Sequence, residues 1–237
     1  MASNWGLLKR IWQKKANEYS TAFRESKTER IDKDLPLGLR ISGMVEVPIV
    51  DFVLGGDDLK IKHPGTRNPI AACGKFDLGG SGVHRFYLEA DSDIYTLQIA
   101  ADRNNRIEEC KLFMPLDEVY PETVADWDFW LSPQDGSIGL DAFQTKDEIL
   151  YNRVWSGGRS GTGQIDRVLP LEFEETVYHD PEGAHRESIK YRSMLYGRHV
   201  NERVDEYLLL SAVEEDDGAA IQIMVGIEID PGSLVVY

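Results

Sequence analysis

The sequence predicts a mainly β, antiparallel protein of barrel-like or sandwich-like units carrying an N-terminal amphipathic helix, an α+β protein dominated by strands. Three observations predict it. Apolar residues alternate with polar ones at a period of two from residue 39 onward, the spacing that puts one face of a strand in a core. Short polar clusters such as Asp102–Arg106 and Glu214–Gly218 separate pairs of such runs, as hairpin turns do. Helical periodicity is confined to the first twenty residues and to a stretch near 121–131.

Taken in order, the first element is the arm. On a helical wheel Trp5, Leu7, Leu8, Ile11, Trp12, Ala16 and Tyr19 share one half, with Lys9, Arg10 and Lys14 at its margins or beyond. Lys15 and Glu18 intrude on the apolar arc, although a lysine can lay its stem along apolar surface and lift its charge into water. Residues 20–34 are polar and charged without a sustained period, which predicts a linker before Leu35-Pro36-Leu37-Gly38. Leu39, Ile41, Val45 and Val47 then predict a half-buried strand ended by Pro48. Tyr95, Leu97 and Ile99, with Ile107–Phe113 across the Asp102–Arg106 turn, predict a hairpin. Residues 207–213 and the alternation Ile221, Ile223, Val225, Ile227, Ile229 predict a second. A short helix is expected over 121–131, with Pro121 in its first turn and Ser132-Pro133 as its stop. The glycine-rich stretch 156–164 is the expected divide between two halves of a body spanning 35–237.

Charge separates the arm from the body. The chain has 237 residues and a formal charge of −15. Residues 1–34 hold eight basic and five acidic side chains, leaving 18 basic and 36 acidic for residues 35–237. A body of that charge repels phosphate backbones, so nucleic acid is not an expected partner. The N-terminus has no apolar run followed by a small-residue cleavage site, and no eighteen-residue apolar stretch occurs, so a cytoplasmic location is expected.

The chemistry-bearing residues nominate no catalytic group, no metal site and no cofactor. Cys73 and Cys110 form no CxxC pair, and Cys110 sits beside two glutamates that oppose thiolate formation. His179 and His185 lie six apart around a Pro-Gly turn, outside helical ligand spacing. The segments 79–82 and 157–163 lack the lysine and following helix of a phosphate loop, and read as flexible loops. A more specific set is Trp127, Trp130, Arg153, Trp155, Tyr196 and Arg198, which could line a ligand groove by stacking and cation–π contact or could be core.

The segments Leu35-Pro-Leu-Gly-Leu-Arg-Ile, His84-Arg-Phe-Tyr-Leu-Glu, Tyr151-Asn-Arg-Val-Trp155, Met194-Leu-Tyr-Gly-Arg198 and Glu206-Tyr-Leu-Leu-Leu-Ser-Ala-Val-Glu-Glu215 resemble the YjfK-like family of uncharacterised bacterial proteins, over roughly residues 35–237. The resemblance carries no activity or catalytic residue. It implies a genomic setting near membrane-stress and small membrane proteins. The expected function is therefore a non-enzymatic cytoplasmic adaptor touching the inner membrane, or a membrane-stress partner, through Trp5, Leu8, Lys9, Arg10, Ile11, Trp12, Lys14 and Lys15. The alternative is an enzyme or small-ligand binder using the aromatic and arginine groove.

Overall fold

The computed structural model describes residues 30–90, 93–155, 167–215 and 218–237. The arm at 4–16 and the glycine-rich divide at 156–164 lie outside the described residues. In chain order the elements are β1 (Met44–Glu46), α1 (Val50–Gly55), β2 (Asn68–Leu78), β3 (Ser81–Glu89), β4 (Ile94–Ala101) and β5 (Ile107–Val119). Then follow α2 (Val124–Leu131), β6 (Ala142–Gln144), β7 (Leu150–Arg153), β8 (Leu171–Tyr178), β9 (Arg186–His199), β10 (Asp205–Glu215), β11 (Gly218–Glu228) and β12 (Val235–Val236).

Every strand pairing is antiparallel. Eight strands run β2-β3-β4-β5-β11-β10-β9-β8 and return from β8 to β2, closing a barrel and removing its free edges. The closing contact is short, with Cys73, Gly74 and Lys75 opposite Tyr178, Val177 and Thr176. Beyond it, β1 and β12 extend the sheet from the start of β2, and β7 and β6 extend it from the end of β9. The barrel takes four strands from each side of the 156–164 divide.

Both faces of most barrel strands are buried, which is why their sequences read as near-continuous apolar runs. The two faces differ in what covers them. Arg85 on β3 lies 4.9 Å from the ring of Tyr191 on β9, although β2 and β8 intervene around the barrel. Side chains three strands apart on a cylinder meet only if both point inward. The inward face therefore bears Ala72, Arg85, Tyr87, Gln98, Glu175, Ile189, Tyr191, Ser193, Ser211 and Val213, the registers placing each opposite another of the set or of the same parity. The outward face of β2–β5 and β9–β11 carries Phe86, Leu97, Leu112, Tyr196, Leu208 and Val225, all fully buried. It packs with Leu35, Leu39, Ile41, Val45, Ile61, Trp130, Ile138 and Val168 from the segments wrapped around it. The larger apolar core thus lies outside the barrel wall.

Both expected hairpins form, as β4–β5 and β10–β11. The strand expected over 39–47 shrinks to Met44–Glu46, because Leu37 and Ser42 take positive φ and the chain turns at Ile41–Ser42. Leu39, Ile41, Val45 and Val47 are buried all the same. The 121–131 helix starts at Val124: Thr123 and Asp126 form a reciprocal capping box, which leaves Pro121 before the first turn. The 79–82 segment is a tight β2–β3 turn in which Gly79 and Gly80 take φ of 64° and 95°, not a loose loop.

Candidate functional site

The inward face gathers a charged and aromatic cluster at the β2–β8 closure. The Arg85 guanidinium donates to Glu175 at 2.8 Å and to Gln98 at 3.0 Å, and Tyr87 donates to the other Glu175 oxygen at 2.9 Å. Glu175 is fully buried. It reaches Arg85 across β2 because Gly74 stands between them: a Cβ there would sit 1.6 Å from the carboxylate. The rings of Phe76, Phe173 and Tyr191 stack in sequence, and the guanidinium lies within 5.3 Å of each ring centre. Burial first, and then the Glu175 charge, drives the Tyr87 and Tyr191 hydroxyls well above the usual tyrosine range. Both stay protonated at neutral pH, which lets Tyr87 donate to Glu175.

A second carboxylate organises the outer layer. Glu206, on β10 and fully buried, accepts from the backbone N–H of Lys60 (2.5 Å) and Ile61 (3.2 Å) and from the Tyr151 hydroxyl (2.8 Å). It also accepts from Nε and Nη2 of Arg198 at 2.9 and 2.6 Å. Arg198 in turn donates to Asp58 O. The carboxylate thus ties the 56–61 segment and β7 to the barrel wall.

Of the six residues weighed as a ligand groove or as core, Tyr196 is fully buried and accepts a hydrogen bond from Gly139 N at 2.8 Å, while Trp130 belongs to the same outer core. Phe143 links them through ring contacts of 6.3 and 6.0 Å. Trp127 and Trp155 are half-buried and pack on that core. Arg153 donates to Gly139 O, and Arg198 serves Glu206. The structure brings Tyr196 and Arg153 onto Gly139, with Trp130 accepting from the adjacent Ile138 N–H, and assigns Arg198 to a different partner. Arg85, Glu175 and Glu206 were not predicted. An arginine inside the run His84-Arg-Phe-Tyr-Leu was the available signal for Arg85, whereas Glu175 is one of three glutamates between 171 and 178, and nothing local distinguishes it.

Where the arm joins the body, the attachment is specific. Asp32 is buried, accepts two bonds from Arg30 at 2.8 Å and accepts the Ile41 N–H at 2.8 Å. Arg30 also donates to Ile41 O, and Ile31 N donates to Pro181 O in the β8–β9 turn. The remaining candidate chemistry is internal. Cys73 and Cys110 are buried and free, and burial pushes both thiols up to about 12. His179 pairs with Glu187 at 2.6 Å and His185 with Asp180 at 3.1 Å. Among the described residues no group of three or more His, Cys, Asp or Glu is placed to hold a metal ion, and no helix is long and apolar enough to cross a membrane.

Comparison with known proteins adds relatives without an assigned activity. The chain is 26% identical over 181 residues, 76% of its length and 78% of the relative's, to the "Uncharacterized protein YjfK" of Escherichia coli (strain K12). No solved structure matches it. The family described as "Protein of unknown function (DUF2491)" matches residues 10–235, across the clamp, the barrel and both buried carboxylates, and the chain belongs to that family.

Proposed function

We propose that the protein is a non-enzymatic adaptor in which a closed acidic barrel carries a basic arm that makes peripheral contact with an anionic membrane surface, or with a membrane-stress protein residing there. The observation that supports this reading is the Asp32 clamp, which ties residues 30–32, just after the basic segment in the sequence, to a body of opposite charge. Trp5, Leu8, Ile11 and Trp12 supply an apolar face for the acyl boundary, and Lys9, Arg10, Lys14 and Lys15 supply charge for headgroups, each worth about 1 kcal/mol at an anionic surface. The body repels the same lipids, so attachment is weak, reversible and salt-sensitive. The two fully buried glutamates are engaged in holding strands together, Glu175 with Arg85 and Glu206 with Arg198, which fits a scaffold.

Co-sedimentation with phosphatidylcholine vesicles, with and without phosphatidylserine, tests it. The full chain should bind only the anionic vesicles and only at low salt, and a W5A/W12A variant should lose that binding. Absence of binding by the unaltered chain at low salt, or binding unaffected by W5A/W12A, overturns the reading.

A further inference from the structure

The helix α1 leaves an apolar stripe in solvent. Ile49, Val50, Val53 and Leu54 are 57%, 59%, 67% and 40% exposed, and Ile49/Val53 and Val50/Leu54 are i, i+4 neighbours on one face. Four large apolar side chains side by side on a six-residue helix and its N-cap Ile49 differ from the scattered singles normal on a protein surface. The helix is held firmly from behind. Phe52 packs on the outer core and edge-on against His63 at 4.9 Å, and Asn201 in the β9–β10 turn donates to Leu54 O. The stripe is bordered by Asp51, Asp57 and Asp58, with no basic residue between Pro48 and Leu59. Two flanking cations are held by carboxylates, Lys60 by Asp147 and Arg198 by Glu206.

We propose that this stripe is the docking surface for the chain's own N-terminal arm, residues 4–16. Two observations select that occupant. The first is complementarity: the arm pairs an apolar face of Trp5, Leu8, Ile11 and Trp12 with Lys9, Arg10, Lys14 and Lys15, the opposite charge to the rim of α1. The second is reach. The clamp holds Arg30 against Ile41, and Val50 follows Ile41 by nine residues, at most roughly 30 Å even fully extended, with a turn at Ile41–Ser42 shortening it. The fourteen steps from Arg30 back to Ala16 extend to roughly 46 Å, so the arm reaches α1 without leaving its clamp.

The inference adds regulation to the adaptor reading, because one apolar face cannot serve α1 and a membrane at once. It does not require a membrane, so its test is separable. Hydrogen exchange of the full chain without lipid should show backbone amides in 5–16 protected, and a V50D/V53D variant should lose that protection by about tenfold or more in rate. Both positions are exposed, so the barrel should keep its thermal midpoint. W5A/W12A should reciprocally speed exchange in 49–55, which covers the case in which V50D/V53D disturbs the helix itself. If the adaptor reading also holds, V50D/V53D should bind anionic vesicles more tightly than the unaltered chain. Arm exchange rates identical in the unaltered chain and V50D/V53D overturn the proposal. So does arm protection that appears only on raising protein concentration, since that assigns the arm to a second copy.

Discussion

Glu175 is the residue on which the inward cluster depends. Removing it leaves the Arg85 guanidinium buried without a counter-charge, a loss of about 3–5 kcal/mol for a broken buried pair. E175A should therefore lower the urea midpoint by that equivalent, whereas a paired R85M/E175L replacement should cost far less, because it removes both charges and keeps apolar volume. If the double variant is as unstable as E175A, the ion pair is not the source of the loss. The two thiols give a pH prediction. Their ordinary value near 9 rises to about 12 in the fold, so the native state holds protons that the unfolded state has released. Their contribution is complete below pH 9 and falls as pH rises toward 12, at about 1.4 kcal/mol per pH unit per thiol. Unfolding in urea at increasing pH reads this, and a thiol reagent at neutral pH should label neither cysteine until the chain unfolds. The opposition to thiolate that the sequence suggests for Cys110 is present, but burial is its first cause and the Glu109 charge a lesser one.

At the scale of elements, the weak seam is the three-residue junction of β2 with β8, and Gly74 is its centre. G74A places a methyl group where the Glu175 carboxylate lies, and neither the strand backbone nor a fully buried carboxylate can step aside. We expect a loss of at least the 1–3 kcal/mol typical of overpacking. Hydrogen exchange should localise it, with amides of β8 opening before those of β4 and β10. Uniform destabilisation across all strands would show that the seam is not a separate weak point. The elements legible from sequence were those in which an alternating strand, β4 or β11, faces another apolar run across a polar turn, giving β4–β5 and β10–β11. The strand expected over 39–47 was legible only as burial, since alternation reports which side chains are inside, and a chain that turns through positive φ at Ser42 can bury the same residues without pairing. The capping box moved the start of α2, because Thr123 and Asp126 satisfy backbone donors that Pro121 could not.

At the scale of the whole molecule, the barrel is closed by strands from both sides of 156–164. β5 pairs with β11, and β2 pairs with β8. A fragment of residues 35–155 keeps β2–β5 but loses the partners on both outer edges, together with the β9 and β10 part of the outer core. Expressed alone it should fail to give a dispersed amide spectrum, and mixing it with 156–237 should restore one. A dispersed spectrum from the fragment alone would establish 35–155 as an independent unit.

The mainly β character, the positions of the two clearest hairpins, the strongly acidic body and the basic, apolar-faced pattern of the first residues are all written in the chain. Each of these depends on neighbours in the chain: periodicity, turn chemistry and charge count. Tertiary packing set the closure of β8 against β2, the position of the larger core outside the barrel, and the full burial of Glu175 and Glu206 among the described glutamates. Those outcomes depend on residues about a hundred positions apart, such as Gly74 and Glu175, whose fit is a matter of shape and desolvation that no local pattern records.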